Sequence, residues 1–407
     1  MNDYKYFDDL NIELIDGDRG KNYPRNDEMF EKEYCLFLNA KNVTINGFVF
    51  DENVFITKEK DELLRKGKLN RNDIVLTTRG TIGNVGLYDE SVKYDNVRIN
   101  SGMLIIRNND SNINTKYLYY QLTSPFIRDQ IFSLKTGSAQ PQIPITVLKK
   151  LKLLIPDKNI QDKIVKVMDS VVNKINLNNE INNNLYDMLK RLYKELYLNN
   201  PSYNTWESMT LNDVTCKFAT GLNPRKNFVL GQGNNYYVTI KNMPNNQVIL
   251  DDKCDKVDDE ALIKINKRSD LKVGDLLFSG IGTIGRTYLI KSKPTNWNIS
   301  ESVFTIRPND KISSEFLYLL LLDSDMQNYA VSKASGSVQK GIRMADLKLY
   351  KLKVPGKEWM DTFTNTISPL IDKIYLNYEM NEKLCRLRDT LLPKLMNGEI
   401  DLDNIEI

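Results

Sequence analysis

The sequence predicts an α+β chain in which two globular domains alternate with two long helices that pair antiparallel as a coiled coil, giving an internal repeat with pseudo-two-fold character. Three observations predict it: five segment pairs that recur in one order, β-type runs broken by glycine and asparagine in each copy, and an apolar stripe closing each copy.

The repeat comes first, because missing it would misread the whole fold. Residues 73–83 (DIVLTTRGTIG) return as 275–285 (DLLFSGIGTIG), and 99–110 (INSGMLIIRNND) as 299–310 (ISESVFTIRPND). Residues 116–122 (KYLYYQL) return as 315–321 (EFLYLLL). Residues 137–156 (GSAQPQIPITVLKKLKLLIP) return as 336–355 (GSVQKGIRMADLKLYKLKVP), and 174–182 (KINLNNEIN) as 373–381 (KIYLNYEMN). The offset stays near 200 residues throughout, which chance does not supply five times in register.

Each copy opens with a globular part, 1–156 and 201–355. Runs such as 74–78, 103–107, 276–279 and 303–307 are rich in β-formers and bounded by turn residues. The spacing predicts a strand, a tight turn at Gly80 and Gly83, and a returning strand, within an α+β domain dominated by one curved sheet.

Each copy closes with a helical part, 157–200 and 356–407. The first stripe is Ile160, Ile164, Val167, Val171, Ile175, Ile181, Leu185, Leu189, Leu192 and Leu196. The second is Phe363, Ile367, Leu370, Ile374, Met380, Leu384, Leu387, Leu391 and Leu395. Spacings of three and four mark a helix–helix seam, and Ile164, Val171, Ile175, Leu185, Leu192, Ile367, Ile374, Leu384 and Leu391 are its candidate contacts. Asn178 and Asn377 occupy matching places, where a polar residue fixes register. Pro369 is expected to kink or split the second helix. Helices too long for their own domains to cover are expected to cover each other, holding the domains at opposite ends of a rod.

Composition removes several chemistries. Histidine is absent, so no Ser-His-Asp or Cys-His triad and no histidine zinc site can be built from this chain. The cysteines (Cys35, Cys216, Cys254, Cys385) lie far apart without zinc-like spacing, and read as reduced thiols in a cytoplasmic protein. No stretch approaches the roughly 18 apolar residues of a membrane helix, and the acidic start MNDYKYFDDLNIELIDGD is unlike a secretory signal. The phosphate-loop pattern is missing. Gly280-x-Gly282-x-x-Gly285 fits a dinucleotide pattern only formally, since no helix is expected to follow it.

A net charge of +3 cannot argue nucleic-acid binding in bulk; local charge can. Residues 135–152 carry Lys135, Lys149, Lys150 and Lys152 and no acid, and 333–353 carry six cations against Asp346. A Gly-Ser-x-Gln turn sits in both. Lysine and arginine suit phosphates, while Asn and Gln reach base edges. Two readings stay open on the residues: a duplicated DNA reader, and a coiled-coil scaffold for protein partners without sequence-specific DNA binding.

The GSAQPQIP segment followed by LKKLKLLIP, its counterpart SGSVQKGI followed by LKLYKLKVP, and the stretch LRDTLLPKLMNGEI (387–400) carry a resemblance. Together they resemble the specificity subunits of Type I restriction–modification systems over essentially the whole chain. The resemblance implies two target-recognition domains, each reading half of an asymmetric split target in double-stranded DNA. It implies two conserved helices that set the spacer and dock two methyltransferase subunits, with restriction subunits joining them. It further implies a chain with no catalysis or cofactor of its own, the partners using S-adenosylmethionine, ATP and Mg. The candidate DNA contacts are Lys21, Asn22, Lys41, Arg79, Lys135 and Gln140 in the first copy. In the second they are Arg225, Lys241, Arg286, Lys333, Gln339 and Lys340. Arg107 and Arg307 share a repeat position and are expected to be framework. The two copies share framework but differ in most loop residues, so they are expected to read different half-sites; where Lys340, Gly341 and Arg343 replace Pro141, Gln142 and Pro144, equivalent loop contacts are not expected.

Overall fold

The computed structural model describes residues 4–134, 142–336 and 340–400. They fall into two compact units, one joining Met1–Leu177 to Met380–Ile407 and the other comprising Asn178–Glu379. Each unit combines one globular domain with a stretch of each long helix.

In the first unit an antiparallel sheet runs in the order Ile12–Asp16, Met103–Asn108, Ile74–Thr77, Val85–Leu87. Its central strand begins Met-Leu-Ile-Ile with no polar interruption, because both faces are buried. Leu104 and Ile106 join Leu118, Leu122, Ile127 and Ile131 from two helices. Met103 and Ile105 face the other way, onto Leu36, Leu38, Val97 and Ile99. Each such fully buried side chain contributes roughly 1.5–3 kcal/mol. Those last four belong to a second sheet, Cys35–Leu38 flanked by Phe55–Ile56 antiparallel and Val97–Ile99 parallel. Tyr4–Tyr6 pairs with Lys152–Leu154 separately.

The second unit repeats this plan. Thr215–Thr220, Val303–Pro308, Leu276–Ser279 and Thr287–Leu289 form the four-stranded sheet. Asn235–Val238 lies between Asp255–Val257 and a parallel Trp297–Ile299, and Glu207–Thr210 pairs with Lys351–Val354. The expectation of one dominant sheet is therefore corrected to several small ones, four in the first domain, where Val43–Thr44 also pairs with Gly47–Phe48, and three in the second. Strands of two to six residues are too short to carry one continuous surface, and the sheets instead share apolar clusters between them.

The first long helix spans Lys158–Tyr193 and ends in a π-helical turn, Lys194–Leu198; the second spans Lys357–Met396. In the second unit Leu189, Tyr193 and Tyr197 pack with Phe363, Ile367, Ile371 and Ile374. Tyr193 meets Phe363 and Asn182 meets Asn377, so the two stretches run antiparallel. In the first unit Asn381 Nδ2 donates to the Ile175 carbonyl, while Ile164 and Met168 share a core with Leu392, Leu395 and Met396. That core also takes Tyr117 and Tyr120 of the globular domain. Gln161, fully buried, ties the helix start to the same domain by donating to the Asn112 and Pro156 carbonyls.

Of the expected seam, Ile164, Val171, Ile367 and Ile374 are buried, and Ile175, Leu185, Leu192, Leu384 and Leu391 are half-buried. Ile160, Met380 and Leu387 of the proposed stripes are exposed. An apolar spacing of three and four cannot say which of two adjacent helix faces meets the partner helix, and these residues lie off the packed one. Pro369 does not split the helix, which is continuous from Lys357 to Met396. Pro369 is exposed, and the carbonyl it leaves unbonded belongs to exposed Asn365, where water can serve. Among the described residues no helix is long and apolar enough to cross a membrane.

Candidate nucleic-acid interface

The same ion pair fixes the base of the glycine turn in each domain. Arg107 Nε and Nη2 donate to the two carboxylate oxygens of buried Asp73 at 2.9 and 2.7 Å, and Arg307 does the same to Asp275 at 2.6 and 2.9 Å. These bonds hold both guanidiniums above their ordinary pKa. Asp73 also accepts from the Asn70 amide and Asp275 from the Lys272 amide. The strand that follows each aspartate is thereby aimed, and the turn beyond it with it. Both arginines are framework.

In the first domain that turn packs against the loop carrying Lys41. Gly80 has φ +73°, where a side chain would be strained, and it lies in ordinary contact with the loop, a Cβ there being 3.7 Å from Ala40 Cβ. Thr81 Oγ1 donates to the Ala40 carbonyl and Asn84 Nδ2 to the Val43 carbonyl. Lys41 sits in the Ala40–Asn42 turn, exposed, with Nζ 2.5 Å from Glu52. Arg79 is exposed at the start of the turn; its Nε donates to Gln142 Oε1 at 3.2 Å, and its amide to the Gly102 carbonyl. Arg19 Nη2 reaches the Ser101 carbonyl next door. Lys41, Arg79, Gln142 and Arg19 therefore border one patch. Lys21 is exposed two residues past Arg19, and the Asn22 amide is spent on the Leu63 carbonyl.

The second domain builds the patch from different chemistry. Gly282 (φ +82°) faces Ile240, and its amide donates to the Lys340 carbonyl. Lys241 and Lys340 are exposed on either side. Arg286 Nη1 donates to the Ile240 carbonyl at 2.6 Å, bracing the Lys241 loop as Asn84 braces its counterpart. Asn223, which caps the turn holding exposed Arg225, donates to Glu301 Oε1 at 2.6 Å, and Tyr237 donates to Glu301 Oε2. Lys333 is exposed past the helix Ser324–Ser332, its ammonium over the Tyr329 ring. Lys135, Gln140 and Gln339 lie outside the described residues.

The basic segments do not act as blocks. Lys149 pairs with Asp8, and Lys353 donates to the Trp206 carbonyl, because both segments run into the separate two-stranded sheets. Sequence reasoning missed Arg19, Gln142, Asn223 and Glu301. Arg19 stands two residues before the candidate Lys21 and is legible in the sequence; Glu301 is not, since an acid carries no phosphate signal. Among the described residues no group of three or more Cys, Asp or Glu is placed to hold a metal ion.

A family model for the Type I restriction modification DNA specificity domain matches residues 18–186 and again 203–385. The chain belongs to this family, and the two matched stretches carry its two target-recognition domains. It is similar to the specificity subunit of the Type I restriction enzyme HindI of Haemophilus influenzae, 23% identical over 94% of this chain and 98% of that protein. It is also similar to the MjaIX specificity subunit of Methanocaldococcus jannaschii, 22% identical over 82% of this chain and 79% of that one. In fold it matches the crystal structure of the S subunit from M. genitalium, with a TM-score of 0.53 over 97% of this chain and 95% of that one at 16% identity.

Proposed function

We propose that each recognition domain reads one half of an asymmetric, two-part target in duplex DNA, and that the long helices set the spacer between the halves. One observation carries the reading: the glycine turn, its buried Asp–Arg brace and a flanking exposed lysine recur in both domains, while the side chains around them differ. Shared framework suits common phosphate positioning, and divergent loops suit different bases. Arg79 with Gln142, against Lys340 beside Gly341, would meet different edges in the major groove.

The chain is proposed to be non-catalytic, to act in the cytoplasm, and to position two methyltransferase subunits and, where present, restriction subunits. S-adenosylmethionine, ATP and Mg would be used by those partners. Docking of two equivalent partners is supported by apolar residues exposed at repeat-related helix positions: Leu177 with Leu376, and Met188 with Leu387. Adenine methylation by a partner would require the base to leave the stack.

The test is a map of methylated adenines in host DNA with and without this gene, together with nuclease protection by the assembled complex. A split motif that disappears with the gene is expected. Uniform, salt-sensitive protection without a preferred site would instead favour the scaffold reading.

A further inference from the structure

The first unit holds a pocket of about 40 Å³ between its globular domain and the second long helix, lined among others by Asn46, Tyr119, Thr123, Arg128, Arg388 and Asp389. Space for one water is roughly 10–15 Å³ on this measure, so the pocket has room for about three waters or one small polyatomic ion. Arg128 enters from the helix Pro125–Ser133 and Arg388 from the long helix. Arg388 Nε donates to Asp389 at 2.8 Å. Arg128 makes no hydrogen bond or ion pair with any described residue, and the Tyr119 hydroxyl likewise makes no hydrogen bond with one. Burial pushes the Arg128 guanidinium down, Asp389 opposes this, and the like charge of Arg388 adds to it. Two guanidiniums against one carboxylate leave the lining with a surplus positive charge and several unused donors. Tyr119, Arg128 and Arg388 are half-buried and Asp389 is exposed, so the pocket opens to solvent and a small anion can reach these donors.

The second copy shows what a filled version of this place looks like. At the repeat offset, Arg128 corresponds to Gln327, Arg388 to Leu189 and Tyr119 to Tyr318. Gln327 donates to the Gly285 and Leu321 carbonyls, Tyr318 bonds Tyr186, and Leu189 is fully buried in the apolar core. There the same junction is closed by packing and satisfied hydrogen bonds. In the first copy the equivalent positions are cationic around a space.

We propose that this pocket binds one small tetrahedral oxyanion of the inorganic phosphate or sulfate class, gripped by Arg128, Arg388 and the Tyr119 hydroxyl, which fastens the first recognition domain to the second long helix. Guanidinium forks match the geometry of such oxyanions, and the anion neutralises two like charges that otherwise repel. Asp389 limits the affinity and orients Arg388.

The experiment is calorimetric titration of sodium phosphate and sodium sulfate, against sodium chloride at equal ionic strength, into the full-length chain. One saturable site is expected for each oxyanion and none for chloride. Arg128→Gln should weaken it about tenfold or more, since charge-assisted bonds are lost. If that variant fails to fold, Arg128→Lys keeps the charge without the fork and should weaken binding several-fold. The double variant Lys41→Gln/Arg79→Gln removes cations of the proposed DNA surface and should leave the site intact, so failure of the DNA reading is separable. No saturable binding, or binding that survives Arg128→Gln and is lost in Lys41→Gln/Arg79→Gln, overturns the proposal.

Discussion

Asn377 Nδ2 donates to Asn182 Oδ1 at 2.7 Å, with both residues buried between the antiparallel helix stretches of the second unit. Asn182 Nδ2 passes the chain on to the Ile374 carbonyl. The pair stabilises the observed alignment, in which both buried amides are bonded. Asn377→Ala is therefore expected to destabilise the unit by about 1–3 kcal/mol. Asn182→Leu/Asn377→Leu should recover most of that loss while relaxing the register. Urea unfolding measures the first effect; helix-to-helix cysteine crosslinking at several offsets measures the second.

The matched braces Asp73–Arg107 and Asp275–Arg307 should behave as stability elements and not as readout. Each aspartate is buried and each arginine about one-fifth to one-quarter exposed. Arg307→Ala strands a buried carboxylate, at a cost of about 2–4 kcal/mol once partial exposure is discounted. Domain two should lose denaturant resistance while the mapped target bases stay the same. A changed base preference would contradict the framework role.

Much of this is legible in the sequence. The repeat offset alone placed Arg107 and Arg307 together as framework, and the apolar spacing found Ile164, Val171, Ile367 and Ile374. Tyr186, Tyr193 and Tyr197 pack at the seam without a signal in the sequence, because tyrosine reads as amphipathic and its burial depends on a distant partner. Tyr186 finds the Tyr318 and Tyr378 hydroxyls, from residues more than a hundred positions away. The Arg286 guanidinium braces the Lys241 loop through the Ile240 carbonyl; its charge is visible in sequence, and the carbonyl that engages it is not.

Acid should weaken the first domain through Asp61. Burial pushes its carboxyl up, but hydrogen bonds and charge from Lys68 and Arg98 outweigh this and hold it below the usual carboxylate value. A depressed folded pKa means the contribution is fully present above the ordinary carboxylate pKa and is lost as pH falls through the lowered one. Asp61→Asn should thus be less stable than the parent at pH 7, with the gap closing below about pH 4. In the second domain Asn298 takes the place of Arg98 and bonds Ser269 and Asn266 without charge. Urea midpoints across pH, followed domain by domain, check the difference.

Thiol reactivity should sort by burial. Burial pushes Cys35 up to about 12, with Asp61 adding to it, and Cys254 up to about 11. At pH 8 the thiolate fraction is then on the order of 10⁻⁴ and 10⁻³ respectively. Cys216 is exposed. Iodoacetamide followed by peptide mass mapping should modify Cys216 first and leave Cys35 and Cys254 unmodified in the native chain.

The proposed interface separates two kinds of cation by their salt dependence. Lys41 and Lys241 stand at repeat-related positions beside the glycine turns, where a phosphate contact is independent of sequence. Lys41→Gln and Lys241→Gln should each weaken binding of the assembled complex to every DNA alike, and each should lower the slope of log affinity against log salt by about one. Arg79, held by Gln142 at the turn of the first domain only, should act on bases: Arg79→Gln is expected to cost about 1–3 kcal/mol on the cognate half-site and to relax preference there. The other half-site, read through the second domain, should keep its preference unchanged. Competition binding with duplexes mutated in one half at a time distinguishes these outcomes. A uniform loss across all sequences for Arg79→Gln would move that residue from readout to phosphate positioning.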